Sequence, residues 1–445
     1  MKRGFLNKPP TRGLVDPPTQ TEDLPVIEFN GIPIHVAQIG QPLVRLAIGK
    51  VNIPLPENYE ARKPFYRTVE WDETGFADKE IYMTTLPPRK SGETLADNPD
   101  NWTQCLFNFA EQKRSILSTP GFPSRMVRPP EVRHRVGPSS FGTGVFATCD
   151  IQMGQLILSE RPLLLSPVCI PVQEPNLPKG ATVTSDQFVL AQMNDYEELL
   201  KDCVDHMEPE NREAFFKLHN SHTEDGSGPI FGRIRTNGIG IMSKTSAEQK
   251  AAGNYGCTGV FNVASYLNHS CTPNVTQTFS RKTLSMQVRA LRNIKKDEEL
   301  FMSYCDVGDP TAVRQKQLQS YGFQCTCRVC SDPTTDALLE GIRDNTLLDE
   351  RDSRRRVKSM IAHAEKWLAQ IEAVGWQQLK EYGSYLSMAT IATMGKDSAK
   401  HLHYQAKQEA WTEAMYGEPV KMRFFIPGLS SPSDLKSLLD ALPRK

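Results

Sequence analysis

The chain has no surplus of either charge. Its 52 lysines and arginines are matched by 52 aspartates and glutamates, so no global field draws it to nucleic acid or to a membrane surface. It has no apolar run approaching the roughly 18 residues that a membrane helix needs, and a soluble protein is expected. Lys2 and Arg3 near the start are not followed by an apolar stretch, which argues against a secretory signal. Cysteine is scarce, 10 in 445 residues, as in a reducing compartment where clustered thiols bind metal more often than they form disulfides. No P-loop, no H-E-x-x-H and no Ser-His-Asp order occurs, which excludes those routes to phosphoryl transfer and hydrolysis. No repeat of fixed period is present.

What is present changes character along the chain. Residues 1–130 hold about half of the 32 prolines and no sustained periodicity, so much of this stretch is expected to lack a core of its own and to be partly disordered. Within it, Val26 to Val51 reads as short β segments. Asn101 to Leu117 has helical spacing in Trp102, Leu106, Phe109, Lys113 and Ile116, with Asp100 or Asn101 as cap and Pro120-Gly121 as stop. From Arg133 to Glu160, alternating apolar residues around glycine turns predict antiparallel sheet. Gly142-x-Gly144 lies in this stretch and reads on its own as a tight turn, since no helical pattern follows to make it a dinucleotide fingerprint.

About 166–230 becomes helical: Ser185-Asp186 caps a segment with Phe188, Val189, Met193, Tyr196, Leu199 and Leu200 on one side, and Glu210 to Leu218 follows. Phe231 to Ile241 returns to short β segments, with Asn237-Gly238 as a hairpin turn, and Lys244 to Gly256 is a polar loop. A hairpin joins Val275–Phe279 to Leu284–Leu291. Asp297-Glu298-Glu299 reads as a solvated turn before a short apolar strand ending on Tyr304. Beyond Cys330 the pattern is helical, clearest at Ala337–Leu347, Val357–Glu372 and Trp376–Met394, with Trp367, Trp376 and Trp411 as core. Arg354-Arg355-Arg356 reads as a solvated helix face.

Two clusters carry chemistry. Cys325-Thr-Cys327-Arg-Val-Cys330 packs three thiols as C-x-C-x-x-C, and a closed structural zinc site needs a fourth ligand. Cys271 is the best-placed candidate, with Cys305 and Cys257 as competitors. Cys271 belongs to the stretch Tyr266-Leu-Asn268-His269-Ser-Cys271-Thr-Pro-Asn274, so such a metal would tie Asn268 and His269 to the C-terminal region. Nothing supports Cys257 and His269 as a nucleophile and base.

These motifs, in this order over about 130–332, resemble the SET-domain protein lysine methyltransferases, and most the SET and MYND family with its fungal relatives. The resemblance implies an α+β protein: a mostly β SET domain over 131–332, a helical insert at about 166–230, a post-SET zinc loop at about 321–332 and a helical region over 333–445. The insert holds Cys169 and Cys203 but no C-x-x-C, so the MYND zinc module is missing and any binding owed to it is not carried over.

By the same resemblance, S-adenosylmethionine is the methyl donor and Tyr304 the catalytic tyrosine. Gly142, Gly144, Asn237, Asn268, His269 and Phe323 bind the cofactor, Tyr266 and Tyr321 line the lysine channel, and Cys271, Cys325, Cys327 and Cys330 hold zinc. The expected partner is a protein lysine, of a histone or another protein, in the nucleus or cytoplasm. Neither membrane nor nucleic-acid binding is expected, and the chain is expected to be a monomer. The rival readings are a SET-like interaction module that has lost catalysis and a zinc-stabilised chromatin adaptor.

Overall fold

Runs of apolar residues become strands, and three sheets gather the chemistry-bearing segments around a shared interior. The computed structural model describes residues 26–29, 32–35, 54–73, 80–89, 91–94, 96–168, 175, 177, 183–241, 256–344, 353–394 and 397–417. The strands begin with β1 (Val26–Phe29), β2 (Ile32–His35), β3 (Arg67–Thr68), β4 (Tyr82–Leu86), β5 (Thr103–Phe107), β6 (His134–Ser139) and β7 (Gly142–Ala147). They continue as β8 (Leu156–Glu160), β9 (Leu164–Pro167), β10 (Ile239–Ile241), β11 (Cys257–Val260), β12 (Asn268–His269), β13 (Val275–Ser280), β14 (Ser285–Ala290) and β15 (Glu299–Met302). The helices are α1 (Ala110–Leu117), α2 (Ser185–Asp205), α3 (Pro209–Lys217), α4 (Pro229–Asn237), α5 (Thr311–Leu318), α6 (Arg328–Ser331), α7 (Thr335–Asp344), α8 (Ser353–Val374), α9 (Lys380–Thr393) and α10 (Ser398–Tyr416).

β1 and β2 pair with each other, and the rest of the β segments expected up to Val51 lies outside the described residues. So do most of the 244–256 loop, Cys169 and the side chains of Arg354 to Arg356. The large sheets run β10-β11-β9-β5-β4-β3, β12-β15-β7-β6 and β13-β14-β8. The fold is α+β, as the sequence implies. The β13–β14 hairpin, the helices of the insert and those after residue 334 appear close to their expected bounds.

Three expectations are corrected. Within the first 130 residues, β3, β4 and β5 form one end of the six-stranded sheet, joined to β9 through Gln104 and Cys105. Of Asn101 to Leu117, Thr103–Phe107 is a strand, and only Ala110–Leu117 is helical. All five residues of β5 are buried. A strand covered on both faces shows no alternation, so its apolar spacing mimics a helix. Gln112 caps α1 by accepting the N–H groups of Asn108 and Phe109.

Residues 229–237 form helix α4 instead of β segments. Its first N–H groups, Ile230 and Phe231, donate to the carboxylate of Glu197 on α2 at 2.9 and 2.8 Å. An anion at a helix N-terminus is stabilising, and this one comes from more than thirty residues upstream, out of sight of any local pattern. Asn237-Gly238 therefore ends a helix and is not a hairpin turn. α2 itself is capped one residue earlier than expected, by Thr184, whose hydroxyl accepts from Gln187 N.

The interior falls into three apolar clusters. One lies among the sheets, around Val145, Ile157, Leu267, Val275, Met286 and Leu300. A second joins the six-stranded sheet to α2, α3 and α4. The third is built by α5 to α10 with the cysteine loop and holds Trp367, Trp376 and Trp411, all buried as expected. Tyr304 packs against the first and third clusters at once, which puts it at the seam between the sheets and the C-terminal helices.

Asn274 closes the frame around that seam. It is 1% exposed. Its amide donates to Glu298 Oε1 and the Glu299 carbonyl, and its Oδ1 accepts from Phe301 N at 2.7 Å. Asn274→Ala strands buried backbone groups of β15 and is expected to cost about 2–3 kcal/mol. Chemical denaturation of the full chain measures this, and a midpoint unmoved from wild type refutes the assignment.

Candidate functional site

The site is assembled on a strand of two residues. β12 runs parallel to β15, with Asn268 opposite Phe301 and His269 opposite Met302, and Ser270 N extends the ladder to the Met302 carbonyl. β15 pairs antiparallel with β7 through Glu299–Phe146 and Leu300–Val145. Asn268, Glu299 and Gly144 thus meet.

Tyr304 is fixed at both ends by the same segment. Its backbone N–H donates to His269 Nδ1 at 3.0 Å, and its hydroxyl donates to the Leu267 carbonyl at 2.6 Å. Burial pushes the Tyr304 hydroxyl well above its ordinary pKa, reinforced by neighbouring Tyr321, so it is a donor and not a base. Desolvation depresses His269 to about 4, leaving a neutral ring. With Nδ1 accepting, Nε2 carries the proton and points to Cys271 Sγ at 3.3 Å.

An aromatic group surrounds Tyr304. Its ring centroid lies 4.8 Å from Tyr321, 5.3 Å from His269 and 6.5 Å from Phe323, and His269 lies 5.8 Å from Phe323. Gly322, at φ +76°, turns the chain between Tyr321 and Phe323 so that both rings face the same tyrosine. Tyr266 does not join them. Its hydroxyl is 3.5 Å from the Lys217 carbonyl, and the ring packs between the sheet core and the insert. Asn237 also stands back: its amide donates to the His219 and Arg233 carbonyls at 2.7 and 2.8 Å, and its own carbonyl accepts from Ser265.

The two glycines differ. Gly142 has φ +104° and open space where a Cβ would be. At Gly144 a Cβ would collide with Glu299 Oε1 and press on Ser139 Cβ and Asn268 Nδ2 at 3.0 and 3.1 Å. Glu299 is not the solvated turn residue expected. Its carboxylate accepts from Asn268 Nδ2 at 2.8 Å and receives Ser139 Oγ on both oxygens at 2.8 Å. Ser139, Glu299 and the Leu267 carbonyl escape sequence reading because each acts through a strand register that only the folded sheet creates.

The four predicted thiols come together. The sulfurs of Cys271, Cys325, Cys327 and Cys330 lie within 4.8 Å of one another, with Cys271 3.5 Å from Cys330 and 3.9 Å from Cys325. Tetrahedral Zn–S bonds of about 2.3 Å put sulfurs about 3.8 Å apart, so the residues fit a structural zinc. Hydrogen bonds from the Cys271 and Cys325 thiols pull Cys327 well below the usual thiol range, and Arg314, fully buried, donates to Cys330 Sγ at 3.8 Å. The first of these favours a thiolate at Cys327. Of the competitors, Cys257 is buried in β11, while Cys305 groups with His269 and Cys271.

The comparisons agree with this geometry. The family described as the SET domain matches residues 142–305. Histone-lysine N-methyltransferase set5 of Schizosaccharomyces pombe is 31% identical over 35% of this chain and 44% of its own length. N-lysine methyltransferase SMYD2-A of Xenopus laevis is 29% identical over 46% of this chain and 48% of its own. The chain therefore spans about half the length of the curated relatives it matches. A solved structure of ctPRC2 in an autoinhibited conformation bound to S-adenosylmethionine matches at 13% identity and a TM-score of 0.20, over 69% of this chain and 33% of that one, a likeness too low to carry an inference. Among the described residues no helix is long and apolar enough to cross a membrane.

Purified protein is expected to contain one zinc per chain, lost on Cys327→Ser together with order in 321–332. Elemental analysis with a thermal melt checks this. A metal-free wild type with an unchanged melt refutes it.

Proposed function

Since this chain carries a SET domain and is related to the SET and MYND lysine methyltransferases, we propose that it is an S-adenosylmethionine-dependent protein lysine N-methyltransferase, with Tyr304 as its catalytic residue. The observation that carries the reading is Tyr304 itself: a partly buried, protonated tyrosine, pinned to Leu267 and His269, with the Tyr321 ring tilted beside it at 4.8 Å. The cofactor's expected holders fit it on two grounds. Gly142 offers an open ledge, and Asn268 is partly exposed beside it with an amide oxygen directed away from its two hydrogen-bonded partners.

When bound, S-adenosylmethionine supplies an electrophilic methyl group on a sulfonium. The protein's tasks are alignment, exclusion of water and delivery of a neutral amine. A free lysine, with pKa near 10.4, is almost wholly charged at neutral pH. Tyr304 and Tyr321 form apolar walls that disfavour the ammonium by desolvation yet tolerate a methylated cation through their π faces. The Tyr304 hydroxyl, held by Leu267, orients the reacting groups. A zinc held by the four thiols would tie Cys271, three residues from Asn268, to the loop that opens the C-terminal helices. The substrate class is a lysine of a histone or another protein.

Transfer of labelled methyl to histones and to a total protein extract tests the proposal. Wild type is expected to label lysine, and Tyr304→Phe, which removes both the hydroxyl oxygen and its tie to the Leu267 carbonyl, to lose activity by about a hundredfold or more, the scale of one lost preorganised polar group. Wild-type label that persists in the mutant refutes the role of Tyr304. Absence of label despite cofactor binding favours the non-catalytic interaction module.

The pH profile follows from the same groups. The amine must be neutral, so the rate is expected to rise with pH toward the lysine's own pKa. Tyr304 needs its proton, and burial holds that proton above the ordinary tyrosine value, so no falling limb is expected below about pH 10. A rate that declines between pH 8 and 9 without loss of fold overturns this.

A further inference from the structure

The polar network behind Asn268 has a directional property. The Asn268 carboxamide has two N–H groups, and both are spent on the protein, one on the Thr143 carbonyl at 3.1 Å and one on Glu299 Oε1 at 2.8 Å. Its oxygen takes no hydrogen bond among the described residues, and the residue is partly exposed. The amide can therefore offer a ligand only an acceptor.

The orientation is imposed from behind. Glu299 is held by Ser139, whose hydroxyl donates to both carboxylate oxygens while its oxygen accepts from Phe141 N at 3.1 Å. The hairpin between β6 and β7 is thereby tied to the carboxylate. Gly144 belongs to the same device, since any side chain there would drive Glu299 and Asn268 out of place. A neutral partner in place of Glu299 could exchange donor and acceptor with the amide. An ionised carboxylate accepts only, so it permits a single orientation.

We infer that Glu299, braced by Ser139 and given room by Gly144, is a positioning residue that locks the Asn268 amide with its oxygen toward a ligand's ammonium group. This rests on the cofactor reading above, in which Asn268 meets the amino-acid end of S-adenosylmethionine. That end carries an α-ammonium and a carboxylate, and an acceptor-only amide selects the first.

The test compares binding of S-adenosylhomocysteine with binding of its deaminated analogue, which lacks the ammonium. Titration calorimetry is run on the full chain, with zinc content and thermal melt recorded for each variant. Wild type is expected to prefer the parent compound by about tenfold or more, the size of one hydrogen bond to a charged group. Glu299→Ala frees the amide to rotate, and the preference should collapse toward unity. Glu299→Gln can present either a donor or an acceptor to Asn268 and to Ser139, so it no longer imposes one orientation and should lower the preference as well, though less than Ala. Ser139→Ala should give an intermediate value and serves if Glu299→Ala fails to fold.

An undiminished preference in a folded Glu299→Ala or Ser139→Ala protein overturns the inference. So does a Gln variant that keeps the full wild-type preference, since a side chain able to donate as well as accept would then fix the amide as well as the carboxylate does. If wild type binds neither compound, the cofactor reading itself falls, and the inference with it. If wild type binds both equally, the cofactor reading stands and only the inference is lost.

Discussion

The parallel pairing of Asn268 and His269 with β15 is the constraint on which the rest of the site depends. Two residues of ladder are a weak structure alone, since a short strand gains little from its own hydrogen bonds. Here the pair is held from four sides. Ser270 extends the ladder, Asn274 returns to rivet β15, His269 accepts from the Tyr304 backbone, and Leu267 accepts the Tyr304 hydroxyl. Because β15 also pairs with β7, the same register brings Gly144 and Glu299 against Asn268. A slip by one residue would turn each of these side chains to the opposite face.

The cysteine cluster explains why so short a segment can be held so firmly. Cys271 follows Asn268 by three residues, and the other three thiols come from the loop that opens the C-terminal region. The Cys271 carbonyl accepts from Trp376 Nε1 at 3.2 Å, and Gln315 bonds both the N–H and the carbonyl of Cys325. The third apolar cluster is thus stitched to the sheets through the residues that flank the site. Tyr321 and Phe323 sit between the end of α5 and the first of the loop cysteines, so the aromatic walls are placed by the same closure.

How much of this was legible in the sequence depended on the range of each interaction. The C-x-C-x-x-C spacing is local, and the fourth ligand and Tyr304 came from an ordered set of motifs; the fold groups the rings of Tyr304, His269, Tyr321 and Phe323, with Asn268 next to His269 on β12. The misreadings share a cause. β5 is covered on both faces and lost its alternation, α4 is capped by a carboxylate on another helix, and Glu299 is defined by its place in a sheet whose other strands lie far away in sequence. An acidic triplet before a strand looks like solvated surface unless the partner across the sheet is known. Tyr266 and Asn237 show the reverse: they spend their polar groups on Lys217 and His219 in the insert and on Arg233 of α4.

The distribution of donors and acceptors says what kind of ligand the site favours. The Tyr304 hydroxyl, the Asn268 amide hydrogens and the His269 ring proton are all directed at protein oxygens or sulfur, and each removes a donor from the pocket. What remains is an Asn268 amide oxygen that takes no hydrogen bond among the described residues, the partly exposed rings of Tyr304, Tyr321 and Phe323, and a carboxylate one hydrogen bond behind. Such a surface offers no donor from these groups and attracts cations through oxygen lone pairs and ring quadrupoles. A sulfonium, an α-ammonium and a lysine side chain are all cations or become so. The pocket's polarity therefore favours the proposed chemistry independently of family likeness, because one electrostatic character serves both the methyl donor and the amine that receives the methyl group.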